Sequence, residues 1–225
     1  MLALLASLIT GYQTSSMSTM QLVFLRTGEN KAHLPKHLNE IAMKRHLDGL
    51  KNLWDSGKAV AVGPMEGGEY EGMVVLNVKT PEEAQELLKD DPFVKSKMLK
   101  LDILPWMFEN TFKKGPDFMD VEKIWFGILQ RPENAPQYPS EKLKELQAGH
   151  LANLEKMAKD GILSAAGPLL SNEKRRGIVI FFSKDINQIR RAVAIDPLIR
   201  AKRLELKLIP WWTGKGTIVP YKPNG

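Results

Sequence analysis

The chain contains no cysteine. Disulfide staples, thiolate nucleophiles and cysteine-ligated metals are therefore all excluded. Histidine is scarce too, with four in 225 residues: His33, His37, His46 and His150. His33 and His37 are four apart, but Pro35 between them breaks the helix that would set both on one metal. No metal is expected from so few ligands, and nothing in the sequence asks for another cofactor. There is no G-x-S-x-G nucleophile elbow and no G-x-x-x-x-G-K phosphate loop; "TGKG" at 213–216 is too short to serve as one. Despite a net charge of +6 and a pI near 9.4, the sequence has no Lys/Arg block of the kind that marks a nucleic-acid arm. Interspersed charge is a solvated surface rather than a nucleic-acid footprint, so no nucleic-acid partner is expected. Nor is there a membrane span: the apolar stretch Leu2 to Ile9 is far below the ~20 residues a bilayer needs.

That stretch belongs to a segment of different composition, "MLALLASLITGYQTSS", residues 1–16. It has the apolar core of an export signal, but no cation precedes Arg26 and no small-x-small cleavage site follows. The alternative is initiation at Met17 or Met20. Localisation stays open between cytoplasmic and exported.

What the sequence does contain is a repeat. "HLDGLKNLWDSGKAVAVGP" from His46 is answered by "HLANLEKMAKDGILSAAGP" from His150, 104 residues later. Gly63-Pro64 and Gly167-Pro168 keep that offset. Asp91-Pro92 against Asp196-Pro197, and Pro105-Trp106 against Pro210-Trp211, stand 105 apart. The extra residue falls in the loop between, "MEGGEYEG" (65–72) against "LLSNEKRRG" (169–177). A constant offset with one loop insertion is the mark of a duplication.

Each copy opens on an apolar strand, "QLVFLR" at 21–26 or "IWFGIL" at 124–129. A helix follows, with Met43, Leu47, Leu50 and Trp54, or Leu143, Leu146, Leu151 and Leu154, along one face. Gly57 and Gly161 are expected to close these helices. Two short apolar runs then read as a hairpin. The second helix starts at "TPEEAQELL" with a Thr80–Glu83 capping box, and in the second copy at "SKDINQIRRAVA" with Ser183 as the expected cap. A last strand, "MLKLDIL" or "RLELKLI", is expected to end at Pro105 or Pro210. The order strand-helix-strand-strand-helix-strand is ferredoxin-like. Its sheet has one face under two helices and one bare face that must be buried. The expected fold is thus α+β, with two tandem βαββαβ units packed sheet to sheet as an intramolecular pseudo-dimeric barrel. The boundaries read as a tail over 1–19, a first repeat over 20–112, a linker over 113–122, a second repeat over 123–216 and a tail over 217–225.

The ordered set His46-Leu47, Gly63-Pro64, Asp91-Pro92, repeated as His150-Leu151, Gly167-Pro168, Asp196-Pro197 and closed by "PWWTGKG" at 210–216, resembles the YCII-related domain family. That family is a branch of the dimeric α+β barrel superfamily, and the resemblance runs from about Gln21 to Gly214. It implies a ferredoxin-like fold, a His–Asp acid–base pair and kinship with small-molecule isomerases and lyases. It implies no substrate.

The chemistry expected of that pair needs no cofactor. Imidazole exchanges protons near neutrality, and a carboxylate on one ring nitrogen fixes the tautomer and steadies the imidazolium. His46 and His150 are the expected acid–base groups, with Asp91 and Asp196 orienting them, in proton-transfer isomerisation or elimination on a small molecule. The competing reading is structural: His46 lies at the rim of an apolar stripe, and Asp before Pro is a common turn residue. Gly63, Pro64, Gly167, Pro168, Trp106 and Trp211 are further pocket candidates. Of the two hairpin loops, one carries Glu66, Glu69 and Glu71, the other Lys174, Arg175 and Arg176. The basic one is expected to favour an anionic small-molecule ligand. The remaining alternatives are a non-catalytic binding protein and an interaction module. The assembly is expected to be a monomeric pseudo-dimer or a further homo-oligomer of it.

Overall fold

A computed structural model describes residues 17–30, 35–109, 112–170 and 174–221. The expectations about residues 1–16 and about His33 lie outside them. The first repeat runs β1 (Met17–Thr27), α1 (Lys36–Asp55), β2 (Ala59–Pro64), β3 (Gly72–Leu76), α2 (Pro81–Leu88), α3 (Pro92–Lys95) and β4 (Leu99–Glu109). The second runs β5 (Val121–Gln130), α4 (Ser140–Lys159), β6 (Leu163–Pro168), β7 (Arg175–Phe181), α5 (Ile186–Ala194), α6 (Pro197–Arg200) and β8 (Glu205–Gly214). Two four-stranded antiparallel sheets result, ordered β2-β3-β1-β4 and β6-β7-β5-β8. Each is a ferredoxin-like unit, and the two units are in tandem.

Alternation along the strands sends each residue set to its own layer. In β1, Met20, Leu22 and Phe24 point to the other sheet, where they join Phe126, Ile128, Ile178 and Ile180 in a core shared by both repeats. Val23 and Leu25 point the opposite way, onto Leu50, Trp54, Ala84 and Leu88 of α1 and α2. The second repeat does the same with Leu129, Val179 and Phe181 against Met157 and Ile189. Each sheet is thus buried on both faces.

The local signals account for most element ends. Thr80 accepts the Glu83 backbone N–H at 3.2 Å while the Glu83 carboxylate accepts the Thr80 N–H, the reciprocal box that starts α2. Gly57 and Gly161 close α1 and α4 at φ of +72° and +69°, where a side chain would be strained. Three expectations are corrected. The cap of α5 is Asp185, whose side chain accepts the Asn187 N–H at 2.8 Å; Ser183 instead donates to Gln188 at 2.5 Å. Asp91-Pro92 and Asp196-Pro197, expected on the second helix of each copy, instead begin separate short helices, α3 and α6. And Pro105 and Pro210 lie inside β4 and β8 rather than ending them. A proline breaks a strand only where its missing N–H was needed. Here each proline's outer edge offers only its carbonyl, which accepts an N–H from the other repeat's hairpin loop: Leu170 at 2.9 Å for Pro105 and Glu66 at 2.9 Å for Pro210.

Those contacts belong to the seams that close the barrel. Trp106 bridges Leu169, and Met65 bridges Trp211. The Trp106 indole N–H donates to the Gly167 carbonyl and that of Trp211 to the Gly63 carbonyl, both at 3.2 Å. A Cβ on Gly63 would stand 1.6 Å from the Trp212 carbonyl oxygen, and one on Gly167 1.9 Å from that of Met107. The Gly-Pro motif therefore lets the other repeat's last strand approach.

The segment 113–122 is held rather than loose. Lys114 Nζ lies 4.7 Å from the centre of the Trp54 ring and donates to the Asp55 carbonyl at 3.1 Å, while Phe118 packs on Trp54. Beyond β8, Thr217 and Ile218 are buried and the Tyr221 hydroxyl donates to Glu109 at 2.7 Å. No helix among the described residues is long and apolar enough to cross a membrane.

Candidate functional site

Asp91 and Asp196 each begin a one-turn helix, with Pro at the first helical position. Asp91 Oδ1 accepts the N–H groups of Phe93 and Val94 at 2.9 and 3.3 Å. Asp196 Oδ1 accepts those of Leu198 and Ile199 at the same distances. One carboxylate oxygen is thereby fixed by the backbone, and the other is turned toward the long helix. There it meets the histidine: His46 Nδ1 lies 2.5 Å from Asp91 Oδ2, and His150 Nδ1 2.6 Å from Asp196 Oδ2. Both pairs are mostly buried, the second more deeply (side-chain exposure 9% and 3%, against 12% and 8%).

The carboxylate partner assigns the tautomer. Nδ1 carries the proton toward Asp, and Nε2 keeps its lone pair in the neutral ring. Burial works to raise the Asp196 pKa, but the hydrogen bond and charge of His150, the Ile199 N–H and the Asn153 amide outweigh it and hold it below the ordinary value.

The two pairs differ in their support. Asn153 Nδ2 stands 3.4 Å from Asp196 Oδ2 and donates to the Ala192 carbonyl at 3.2 Å. The aligned residue of the first repeat is Gly49, where a Cβ would meet nothing within 4 Å. His46 instead packs against Phe93, ring centres 5.3 Å apart. Beside His150, Asn153 and Asp196 lies an apolar cavity of about 10 Å³ under α4, walled by Leu129, Met157 and Phe181. That is room for about one water. A wider groove of about 260 Å³ opens between α4 and α5, and Asn153 and Met157 line both spaces. Asn153 escaped the sequence reading because nothing in the first repeat corresponds to it.

The other candidates gather at the seams. Trp106 and Trp211 are fully buried and line neither cavity. Trp106 stacks on Phe108 at 3.8 Å, and Trp211 meets Phe126 edge-on at 6.0 Å. They anchor the barrel closure together with Gly63, Pro64, Gly167 and Pro168, where the sequence reading had set them around a pocket.

The oppositely charged loops also act across the barrel. Arg175 grips Asp102 of the first repeat with two hydrogen bonds of 2.5 and 3.0 Å. Glu69 pairs with Lys207 of the second repeat, and Glu66 accepts from Lys123 at 3.2 Å and from the Trp212 indole at 2.7 Å. Lys174 reaches Glu133 at 3.3 Å, and Arg176 is half-buried. The basic loop is thus partly occupied by carboxylates of the protein itself. At the same end Tyr70 stacks on Phe24 at 4.3 Å under Arg26 and Lys207. No group of three or more metal-ligating side chains occurs among the described residues.

The sequence profile of the YCII-related domain matches residues 20–107. No curated protein matches the sequence. Solved structures share the fold at low identity. A heme-binding protein from Thermus thermophilus is 14% identical, with 87% of this chain and 93% of that one aligned at a TM-score of 0.54. A chlorite dismutase variant from Candidatus Nitrospira defluvii is 13% identical, with 87% and 91% aligned at 0.55. A second variant of that enzyme is 12% identical, with 88% and 91% aligned at 0.57.

Proposed function

Taking residues 20–107 as a YCII-related domain, followed by a second copy of the same βαββαβ unit, we propose that the chain is a small-molecule enzyme working by acid–base proton transfer through its His–Asp pairs. The observation that carries the reading is the division of labour within each carboxylate. Oδ1 is bound by two backbone N–H groups and Oδ2 by the histidine Nδ1. Such an aspartate holds the ring and stabilises the imidazolium without taking the proton itself.

Nε2 is then the working nitrogen, and because the space beside His150 has room for about one water, a substrate carbon meets it only where the contact between α4 and α6 opens. Nε2 takes a proton from carbon next to a substrate carbonyl, leaving an enolate. Returned to a different carbon the proton gives an isomer; expulsion of a β-leaving group, protonated by the same imidazolium, gives an elimination. Positioned acid–base help of this kind supplies roughly 10²–10⁴ in rate.

One structural neighbour is a heme-binding protein. A heme needs an axial ligand facing a slot of the size of a small-molecule pocket, roughly 300 Å³ or more. The cavity beside His150 has about 10 Å³, and the 260 Å³ groove has no histidine in its wall. Neither of these two spaces fits a heme.

A second reading rests on the same aspartates. Each caps a helix, so the pairs also serve as clasps between α1 and α3 and between α4 and α6. The test is proton exchange in D₂O. A panel of 2-oxo acids and cyclic ketones is followed by NMR for loss of the α-proton signal. The expected result is catalysed exchange of at least one class, lowered about a hundredfold or more in the His46→Gln/His150→Gln double variant. Exchange that survives in a folded double variant overturns the proposal, and absence of exchange across the panel leaves the clasp reading.

A further inference from the structure

The groove between α4 and α5 sits next to the His150–Asp196 pair but outside it. Its lining is partly apolar, with Met157, Ile162, Ala192 and the exposed Ile195, and partly charged, with Lys156 and Asp160 on the α4 side and Arg191 on α5. Each cation has a carboxylate on its own helix: Lys156 meets Asp160 at 2.6 Å, and Arg191 comes within 4.0 Å of Asp185. All four side chains are more than two-fifths exposed. Exposed pairs of that kind are worth well under about 1 kcal/mol, and a ligand carboxylate replaces them at little cost.

The duplication supplies an internal control. At the aligned positions of the first repeat, Lys156 becomes Asn52, Arg191 becomes Glu86 and Ile195 becomes Asp90. Met157 and Ala192 are matched by the apolar Leu53 and Leu87, whereas the two cations, Ile162 (Lys58 in the first repeat) and Ile195 are particular to the second repeat. So is Asn153, whose amide reaches Asp196 on one side and the Ala192 carbonyl on the other, and which lines both the groove and the cavity beside His150. The first repeat has Gly49 there.

We propose that this groove binds a small amphiphilic carboxylate. Its anionic end sits between Lys156 and Arg191, its apolar body lies on Met157, Ile162, Ala192 and Ile195, and Asn153 links the bound molecule to the His150–Asp196 pair. The volume, about 260 Å³, lies just below the ~300–1,000 Å³ typical of ligand pockets, which suits a small molecule. The proposal rests on the acid–base reading only in making the second repeat the working one; as a binding site it stands apart from it.

The test uses the full chain with phenylacetate as probe, and phenethylamine as a control of similar shape and opposite charge. Binding is followed by chemical shifts of the Asn153 side-chain amide and by calorimetry. Phenylacetate is expected to move the Asn153 signal and phenethylamine to leave it in place. The Lys156→Asn/Arg191→Glu variant, which writes the first repeat's residues into the groove, is expected to weaken phenylacetate by about tenfold or more, the scale of one lost charge-assisted contact. Equal affinity in that variant overturns the proposal, as do shifts confined to the first repeat around Asn52 and Glu86, or no shift up to the solubility limit. In His150→Gln, binding that persists while proton exchange is lost supports both readings; binding that persists where even the parent shows no exchange supports the groove alone.

Discussion

Replacing Gly63 by Ala is expected to open one seam of the barrel. The new Cβ would stand 1.6 Å from the Trp212 carbonyl oxygen, where real contacts stay above 3.0 Å, so the strands must separate by about 1.4 Å. Both colliding partners are backbone, and no side chain can rotate away. Separation stretches three bonds across the seam: the Trp211 indole to the Gly63 carbonyl at 3.2 Å, the Thr213 hydroxyl to the Val62 carbonyl at 3.1 Å, and the Glu66 N–H to the Pro210 carbonyl at 2.9 Å. Overpacking costs about 1–3 kcal/mol, and each weakened buried bond adds up to about 1 kcal/mol, for roughly 4 kcal/mol in all. At about 2–4 °C per kcal/mol for a domain of this size, Tm should fall by roughly 8–16 °C. Urea unfolding followed by tryptophan fluorescence measures the first figure and a thermal melt the second. Gly167→Ala, with its Cβ 1.9 Å from the Met107 oxygen, should behave alike. Gly49→Ala is the control: it meets nothing within 4 Å inside a helix, so it should gain roughly 0.5–1 kcal/mol. A Gly63→Ala protein within about 0.5 kcal/mol of the parent, the range of a neutral surface change, would refute the close-approach argument.

Arg175→Met should cost about 2–3 kcal/mol in urea, because Asp102 would remain largely buried without its fork, and Arg175→Met/Asp102→Leu should recover part of the loss. The lowered Asp196 pKa stabilises the fold above its ordinary value near 3.8, and that stability drains away as pH falls through the folded value. Acid titration of stability should therefore be shallower below that pH in Asp196→Asn than in the parent; identical profiles would remove Asp196 from the acid transition. Thr80→Ala should cost about 1 kcal/mol through loss of the capping box, read by urea denaturation.

Much of this architecture was readable before any coordinates, because the duplication prints each element twice. The box at Thr80 and the glycines at 57 and 161 are local signals, and local signals survive into the fold. The pairing of each histidine with its aspartate was an implication of the resemblance to the YCII-related domain family, which the recurrence in both copies reinforced; their role in proton transfer is a proposal. What the sequence concealed is set by partners far along the chain. Trp211 finds Gly63 across 148 residues, so no nearby pattern could separate a seam anchor from a pocket wall. Pro105 and Pro210 looked like strand ends because the neighbour that needs only their carbonyl lies in the other repeat. The α3 and α6 turns are four residues each, too short for any periodicity. Asn153 broke the repeat, and a search for what recurs passes over what differs.

The mouth of the barrel has a consequence for how such a chain can change over generations. Asp102 and Lys207 occupy corresponding places in the two copies, as do Tyr70 and Arg175. Arg175 meets Asp102, while Lys207 meets Tyr70 and Glu69. Two identical second halves would face Lys207 with Arg175 twice over; two first halves would crowd Asp102 and Glu69 together with only Arg26 to answer both carboxylates. Only the unlike pair balances. A homodimer of either half would set like charges together at this mouth, so the pairing of unlike halves on one polypeptide is the arrangement these charges favour. Once each half is assured of an unlike mate, a groove can turn basic in one and acidic in the other without loosening the barrel that holds both.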